Sequence, residues 1–178
     1  MFDAKRSTQN LFQRHDSQIR AVAISASRQL VASGDSCSDD IVPKIWIWDP
    51  QTCTEIASLS DSRLQGVSSL TFSPDGKSLA CICSDENHRI FGWSTINGNW
   101  NDAHLSAYSL GGHETISFVQ FTQTQLITGG RNNLNFWSFS PSLSVSKGIV
   151  STQGQDDTLL CGAMMEDKFI TGTSEGSF

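Results

Sequence analysis

The side chains that could carry chemistry are four histidines, five cysteines and a scatter of acids. The histidines are His15, His88, His104 and His113; His15 and His113 each stand just ahead of a short apolar run. Cys81 and Cys83 are two apart in an apolar run, so as a strand they share one face. A metal centre there would need about four ligands. His88 is close in sequence but lies across a turn, so the pair reads as two small buried side chains. No GxSxG elbow, HExxH pair, P-loop or GxGxxG fingerprint occurs. No catalytic, cofactor-binding or metal-ligating residue is therefore assigned, and no cofactor is expected.

Composition narrows the classes. Hydrophobic residues make up 38% of 178 and charged residues 17%, which suits a folded domain with a core. The net charge of −6 disfavours a nucleic-acid surface, which needs clustered Lys and Arg. The longest basic run is Lys5-Arg6, and Arg63, Arg89 and Arg131 stand singly, which disfavours a lipid site built on paired arginines. The start "MFDAKRSTQN" has no apolar stretch, and no run approaches a membrane span. The cysteine count is odd and its spacing irregular, without a CxxC pair. The expectation is a reduced, cytoplasmic protein with neither membrane nor nucleic-acid partners.

What must position these residues is a set of short strands. "RAVAIS", "VSSLTFS", "ISFVQFT" and "TLLCGAMM" are each followed by a turn and a second short run: "QLVASG", "KSLACIC", "QLITGG" and "KFITGT". A third run then ends on tryptophan in "KIWIWD", "RIFGW" and "LNFW". Such patterning predicts an all-β domain. The terminal tryptophans Trp48, Trp93 and Trp137 are spaced 45 and 44 residues apart. That spacing resembles the WD40 repeat, with a period of about 40–45 residues and four strands per propeller blade. "IWIWDP" (45–50) is then the third strand of one copy, closed by Asp49 and Pro50, with the role of Trp46 left open.

The predicted strands are 19–24, 29–33, 44–48 and 54–59 in the first blade, and 67–72, 78–83, 89–93 and 105–110 in the second. They continue as 116–121, 124–128, 134–139 and 145–150, then 158–164 and 167–171. The blade-like units are about 15–60, 61–110, 111–150 and 151–178. "SPDG" (73–76) supplies a turn between strands, with Gly76 free to take positive φ. "SGD" (33–35) and "TGG" (128–130) are placed between second and third strands, where a tight reversal wants glycine. "STQNLFQRH" (7–15) is expected to be the outer strand of a blade whose inner strands are missing. A fourth tryptophan would fall near position 181, so the chain is expected to stop inside the third strand of its fourth blade. The fold class is thus all-β, a partial WD40 β-propeller of about three and a half four-stranded antiparallel blades, a segment of a larger ring. Its open end faces are apolar and need a cover or a partner.

The resemblance to WD40 repeats implies a structural role for the histidines. In such repeats a histidine before the first strand bonds a Ser or Thr on the second, which in turn bonds the indole N–H of the third-strand tryptophan. His15, Ser33 and Trp48 resemble this set, as do His113, Thr128 and Trp137. The fourth member, an aspartate, is Asp35, Asp39 or Asp40 in the first blade; in the third, Asn132 or Asn133 stands there. The second blade has Cys83 at the hydroxyl position and Gly66 near the histidine position.

The long turn "GDSCSDDIVPKIWIWDPQT", the medium "DENH" turn and the short "ITGGRNNLNFWSF" turn, in this order, resemble the propeller of the echinoderm microtubule-associated protein-like family. "STQNLFQRHDSQIRAVAIS" and "KFITGTSEGS" are similar to the same propeller. The resemblance implies a non-catalytic, cytoskeleton-associated module whose protein partners are tubulin or microtubules. The second blade departs from the pattern by ending Trp-Ser-Thr. The alternatives are a WD40 scaffold of another intracellular complex, or a propeller hydrolase with convergent acids or histidines at its channel, of which no repeated position is evident. The partner-binding surface is left unassigned, because propeller partners meet loops and loops vary freely.

Overall fold

Short runs rich in Val, Ile, Phe and Trp, broken at close intervals by turn residues, gain most by pairing as strands. The computed structural model describes residues 2–3, 8–37, 41–138, 144–148, 158–166 and 168–176. Two short strands, β1 (Phe2–Asp3) and β2 (Thr8–Gln9), pair with each other. The first blade follows as β3 (Ile19–Ile24), β4 (Val31–Asp35), β5 (Ile45–Asp49) and β6 (Thr54–Leu59). The second is β7 (Val67–Phe72), β8 (Ser78–Cys83), β9 (Ile90–Ser94) and β10 (His104–Ser109). The third is β11 (Ile116–Phe121), β12 (Gln125–Gly130), β13 (Asn133–Ser138) and β14 (Ser144–Lys147). Last come β15 (Leu159–Met165) and β16 (Lys168–Thr173). Each group pairs antiparallel in chain order, giving, among the described residues, three four-stranded blades and one two-stranded half-blade. Among the described residues no helix is long and apolar enough to cross a membrane.

The core lies between the blades. Ala32, Ile45 and Ile47 of the first pack with Val67, Leu79 and Phe91 of the second. Ile82 and Ile90 pack with Ile116, Leu126 and Trp137. Phe118 and Ile127 pack with Leu159, with Phe169 beside them. The connection between β9 and β10 adds a plug: Trp100 is 2% exposed in the first interface, edge-on to Phe72 with centroids 5.6 Å apart.

All four innermost strands carry the same irregularity. The register slips after the first residue, at Ile19/Ala21, Val67/Ser69, Ile116/Phe118 and Leu159/Cys161. A bulge of this kind puts the first and fourth residues of the strand on one face. That face is the one each blade turns toward its predecessor, as Val67, Leu70 and Phe72 do.

The glycines of "SGD" and "TGG" do not form reversals. Gly34 lies within β4, Gly129 and Gly130 within β12, and none has positive φ. Their cause is close approach. A Cβ on Gly34 would sit 2.6 Å from Val67 Cβ, and one on Gly130 would run into the Thr115 carbonyl. Left-handed backbone is found instead at Arg28, Cys53, His88, Asn132 and Glu166, with Gly76 at φ +70°. The "SPDG" turn forms as expected. Gly76 N–H donates to the Ser73 carbonyl at 2.9 Å, and Asp75 Oδ1 accepts from Ser73 Oγ at 2.6 Å and from the Lys77 N–H at 3.0 Å.

One terminal expectation changes, and a second is not tested by the described residues. Within 7–15, Thr8–Gln9 pairs with Phe2–Asp3 rather than as the outer strand of a blade. The stretch after it has no alternating apolar pattern and is held through single anchors, Phe12 and His15, against the first blade. The third strand of the fourth blade would involve residues 177–178, which lie outside the described residues.

Candidate functional site: a buried histidine network and an uncovered blade face

His15 reaches the end of β4 from the segment that enters the first blade. Its Nδ1 faces Asp35 Oδ1, and its Nε2 is 2.6 Å from Ser33 Oγ. Ser33 Oγ also accepts the Trp48 indole N–H at 3.0 Å. The strand period explains the placement: Ser33 and Asp35 are two apart on β4 and so share a face. Phe12 closes the network from the side, stacked on Trp48 with centroids 4.9 Å apart and planes at 6°, and edge-on to His15. Asp35 therefore takes the fourth place; Asp39 and Asp40 lie outside the described residues.

Asp, His and Ser in this order could in principle activate a serine nucleophile. Here the serine is 2% exposed, and its oxygen is already engaged by the indole. The His15 and Asp35 side chains are 5% and 2% exposed. A hydroxyl sealed in this way cannot meet a substrate carbonyl. The network instead satisfies an indole N–H, a hydroxyl, an imidazole and a carboxylate together, and ties two strands and the entering segment into one unit.

The other copies differ. In the third blade Trp137 Nε1 donates to Thr128 Oγ1 at 2.9 Å, but His113 is exposed and makes no bond to Thr128 among the described contacts. Neither Asn132 nor Asn133 joins them: Asn132 takes φ +49°, and Asn133 Oδ1 is buried without a partner. In the second blade the register corrects the expected assignment. Trp48, Trp93 and Trp137 sit opposite Val31, Leu79 and Leu126. The hydroxyl position, two residues on, is therefore Cys81, and Cys83 matches Asp35 rather than Ser33. Both cysteines are fully buried, as two small core side chains. Burial pushes the Cys81 thiol well up, so it stays protonated. Gly66 has φ +75°, and a Cβ there would lie 2.5 Å from Ser84 Oγ.

Arg63, four residues before β7 as His15 is four before β3, holds the histidine's place. Its guanidinium bonds Asp61 through Nε at 2.8 Å and Nη2 at 2.9 Å. It also lies over Tyr108, 4.2 Å from the ring centroid. The bond from Arg63 holds the Asp61 carboxyl below its usual range. Arg63 and Arg89, which stand apart in sequence, meet: Arg89 Nη1 donates to the Arg63 carbonyl at 3.3 Å and lies 3.5 Å from Asp85. Each is matched by an acid, so the pair is not a free basic patch. The spacing of Arg63 before its strand was the one sequence signal for this arrangement.

Trp46 is buried, with its Nε1 unpartnered and Lys44 Nζ 5.5 Å from its ring centroid. Among the described residues no three His, Cys, Asp or Glu side chains converge as a metal site would require. A 460 Å³ hollow where the inner strands end, near Ile24, Phe72, Phe121 and Met164, carries Glu166 as its one charged lining residue.

A concavity of about 780 Å³ lies on the outward face of the first blade, over Val22, Ile24, Val31, Trp48 and Pro50. Val22 is 59% and Ile24 62% exposed. Their counterparts by register are covered by a preceding blade: Leu70 and Phe72 in the second, Val119 and Phe121 in the third, each 7% exposed or less.

Comparison with known proteins agrees with this architecture. Residues 6–49 and 53–94 match the WD40 family model, described as "WD domain, G-beta repeat". The chain is 23% identical over 193 residues to human echinoderm microtubule-associated protein-like 3, covering 95% of this chain and 20% of that one. It is 25% identical over 132 residues to cilia- and flagella-associated protein 52 of Chlamydomonas reinhardtii, covering 74% of this chain and 21% of that one. It thus spans about a fifth of the length of these relatives. Among solved structures, the β-propeller domain of Cps50 (Swd1) from Myceliophteria thermophila superposes with a TM-score of 0.67 at 13% identity, over 90% of this chain and 50% of that one. That likeness is one of fold.

Proposed function

We propose that this chain, which carries WD40 repeats built as propeller blades, is a non-catalytic interaction module of a microtubule-associated protein, with tubulin or microtubules as its protein partner in the cytoplasm. The carrying observation is the match along 95% of the chain to a protein named as microtubule-associated. A second relative, named for cilia and flagella, supports the same reading. The sealed Ser33 hydroxyl, with the single acid at the 460 Å³ hollow, supports a role without catalysis. In this reading the four blade-like units belong to one propeller, without nucleic acid, membrane or cofactor as partner.

The test is co-sedimentation of the full chain with polymerised tubulin at low salt. The expected result is saturable enrichment in the pellet at micromolar tubulin, which is about −8 kcal/mol of binding free energy. No enrichment would reject the reading. The net charge of −6 favours the second reading, a scaffold of another intracellular complex, because long-range attraction to an acidic surface is lacking. In that case affinity capture would return a common partner set without tubulin.

A further inference from the structure

Asn97 is the one asparagine in the chain that a glycine follows. The pair stands in the turn between β9 and β10, and both residues are exposed. Gly98 takes φ +78°, and no atom lies within 4 Å of the place its Cβ would fill. Without a Cβ, its nitrogen can come close to the side chain before it. The Asn97 amide makes no hydrogen bond among the described residues. Two neighbours show what holds such a group still. Asn99 accepts the Asn101 N–H at 3.2 Å and donates to Asp102 at 2.8 Å, and a tryptophan follows it. Asp75 also precedes a glycine, but its Oδ1 accepts from Ser73 Oγ at 2.6 Å and from the Lys77 N–H at 3.0 Å, while Gly76 N–H is given to the Ser73 carbonyl. At Gly98 the N–H carries one restraint, the Thr95 hydroxyl at 2.9 Å.

We propose that Asn97 is a self-modifying site, whose conversion to isoaspartate loosens the contact between the first and second blades. The Gly98 amide nitrogen, on losing its proton to hydroxide, attacks Asn97 Cγ. The bond from Cγ to the side-chain nitrogen breaks, ammonia leaves, and a succinimide ring closes. Water then opens the ring, at Cγ to give aspartate or at the main-chain carbonyl to give isoaspartate. The net change consumes one water and releases one ammonia, with no oxidation. Each product adds one negative charge to the −6 of the chain. Thr95 acts as a brake, because its hydroxyl engages the N–H that must be lost. The contact at stake begins at Trp100. Trp100–Asp102 form a short 3-10 turn against β6 of the first blade, with the indole buried in the first interface, edge-on to Phe72. Isoaspartate inserts a methylene into the main chain of the turn that delivers Trp100. The Thr95–Gly98 hydrogen bond, which needs the original spacing, is lost with it. An aged copy is then a substrate for the enzyme class that methylates isoaspartyl carboxylates.

The experiment ages the full chain at mildly alkaline pH and physiological temperature. Peptide mapping by mass spectrometry locates the amide-to-acid conversion. Methyl transfer from S-adenosylmethionine by a purified isoaspartyl methyltransferase counts isoaspartate. Conversion is expected at Asn97 well ahead of Asn99, and Asn97→Gln, which would have to close a larger ring, should stop it. Thr95→Val keeps the backbone bond to the Lys77 carbonyl but removes the hydroxyl. It should raise the rate about 3- to 10-fold, the worth of one hydrogen bond. Thr95→Ser, which keeps the hydroxyl, should leave the rate unchanged. The aged chain should melt at a lower temperature than the fresh one. Aged Asn97→Gln should not, nor should fresh Asn97→Asp, which carries the charge without the extra methylene. Circular dichroism of the fresh variants confirms the fold. Conversion no faster at Asn97 than at Asn99 would overturn the proposal, as would a rate indifferent to Thr95→Val. Isoaspartate at position 97 with an unchanged melting temperature would overturn its link to the blade contact.

Discussion

Placing Ala at Gly34 tests whether this glycine serves a turn or an approach between blades. The new Cβ would stand 2.6 Å from both Cβ and Cγ1 of Val67 and 2.9 Å from Cγ2. Val67 is 0% exposed and held in the first interface, so it has little room to move. Overpacking of this kind costs about 1–3 kcal/mol, offset by about 0.4–1 kcal/mol from the smaller unfolded-state entropy of alanine. Val67→Ala alone removes two buried methyl groups and should cost about 1.5–2.5 kcal/mol. In the double variant two of the three crowding atoms are gone, while the Val67 Cβ remains. Rescue should therefore be partial, with the double variant losing less than the sum by about 1 kcal/mol. Urea unfolding of the four proteins, followed by tryptophan fluorescence, measures the cycle. Additivity within about 0.3 kcal/mol would refute the steric account. Gly76 is the contrast: with φ +70° and no atom within 4 Å, its replacement by Ala should cost about 1–2 kcal/mol from backbone strain alone.

Three further outcomes are expected. Ser33→Ala removes the partner of the Trp48 N–H and of His15 Nε2 and should cost about 1–3 kcal/mol in urea unfolding, whereas Ser33→Thr should keep most of the stability because Thr128 does the same work. Trp100→Ala should cost about 3–5 kcal/mol through the cavity it leaves, but Trp100→Phe only about 1 kcal/mol, since the indole N–H has no partner to lose. The Asp75 carboxyl is held below its ordinary value, first by the Ser73 hydroxyl and then by the Lys77 N–H. Its stabilisation is therefore fully present above the unfolded value of about 4 and is lost as pH falls through the lower folded value. Asp75→Asn should flatten the acid-side decline in Tm, and a decline unchanged by the substitution would count against this role.

Strand identity was legible in the sequence because a two-residue period is local. β3, β7, β8 and β11 fall where alternation and turn residues put them, and β4 shifts by two residues from its expected range. The "SPDG" turn was readable for the same reason, while the indole bonds of Trp48 and Trp137 were expected from the resemblance of the repeats to WD40. Register between second and third strands was not. Leu79 stands opposite Trp93, which puts the hydroxyl position of the second blade at Cys81 rather than Cys83, and spacing along the chain does not reveal that register because the turns before the third strands differ in length.

The sequence by itself determined the repeat, the strand order and the likeness between blades, since these follow from propensity and periodicity. Tertiary structure decided what each special residue is for. Asp35 completes the histidine network because the strand brings it to His15, while His113, with similar surroundings in the sequence, stays in solvent. Gly34, Gly129 and Gly130 are small because something approaches them, not because the chain turns there. Arg63 comes over the Tyr108 ring only once the second blade is paired. Each of these depends on where a side chain from another strand or blade arrives, and arrival is set by packing between sheets rather than by order along the chain.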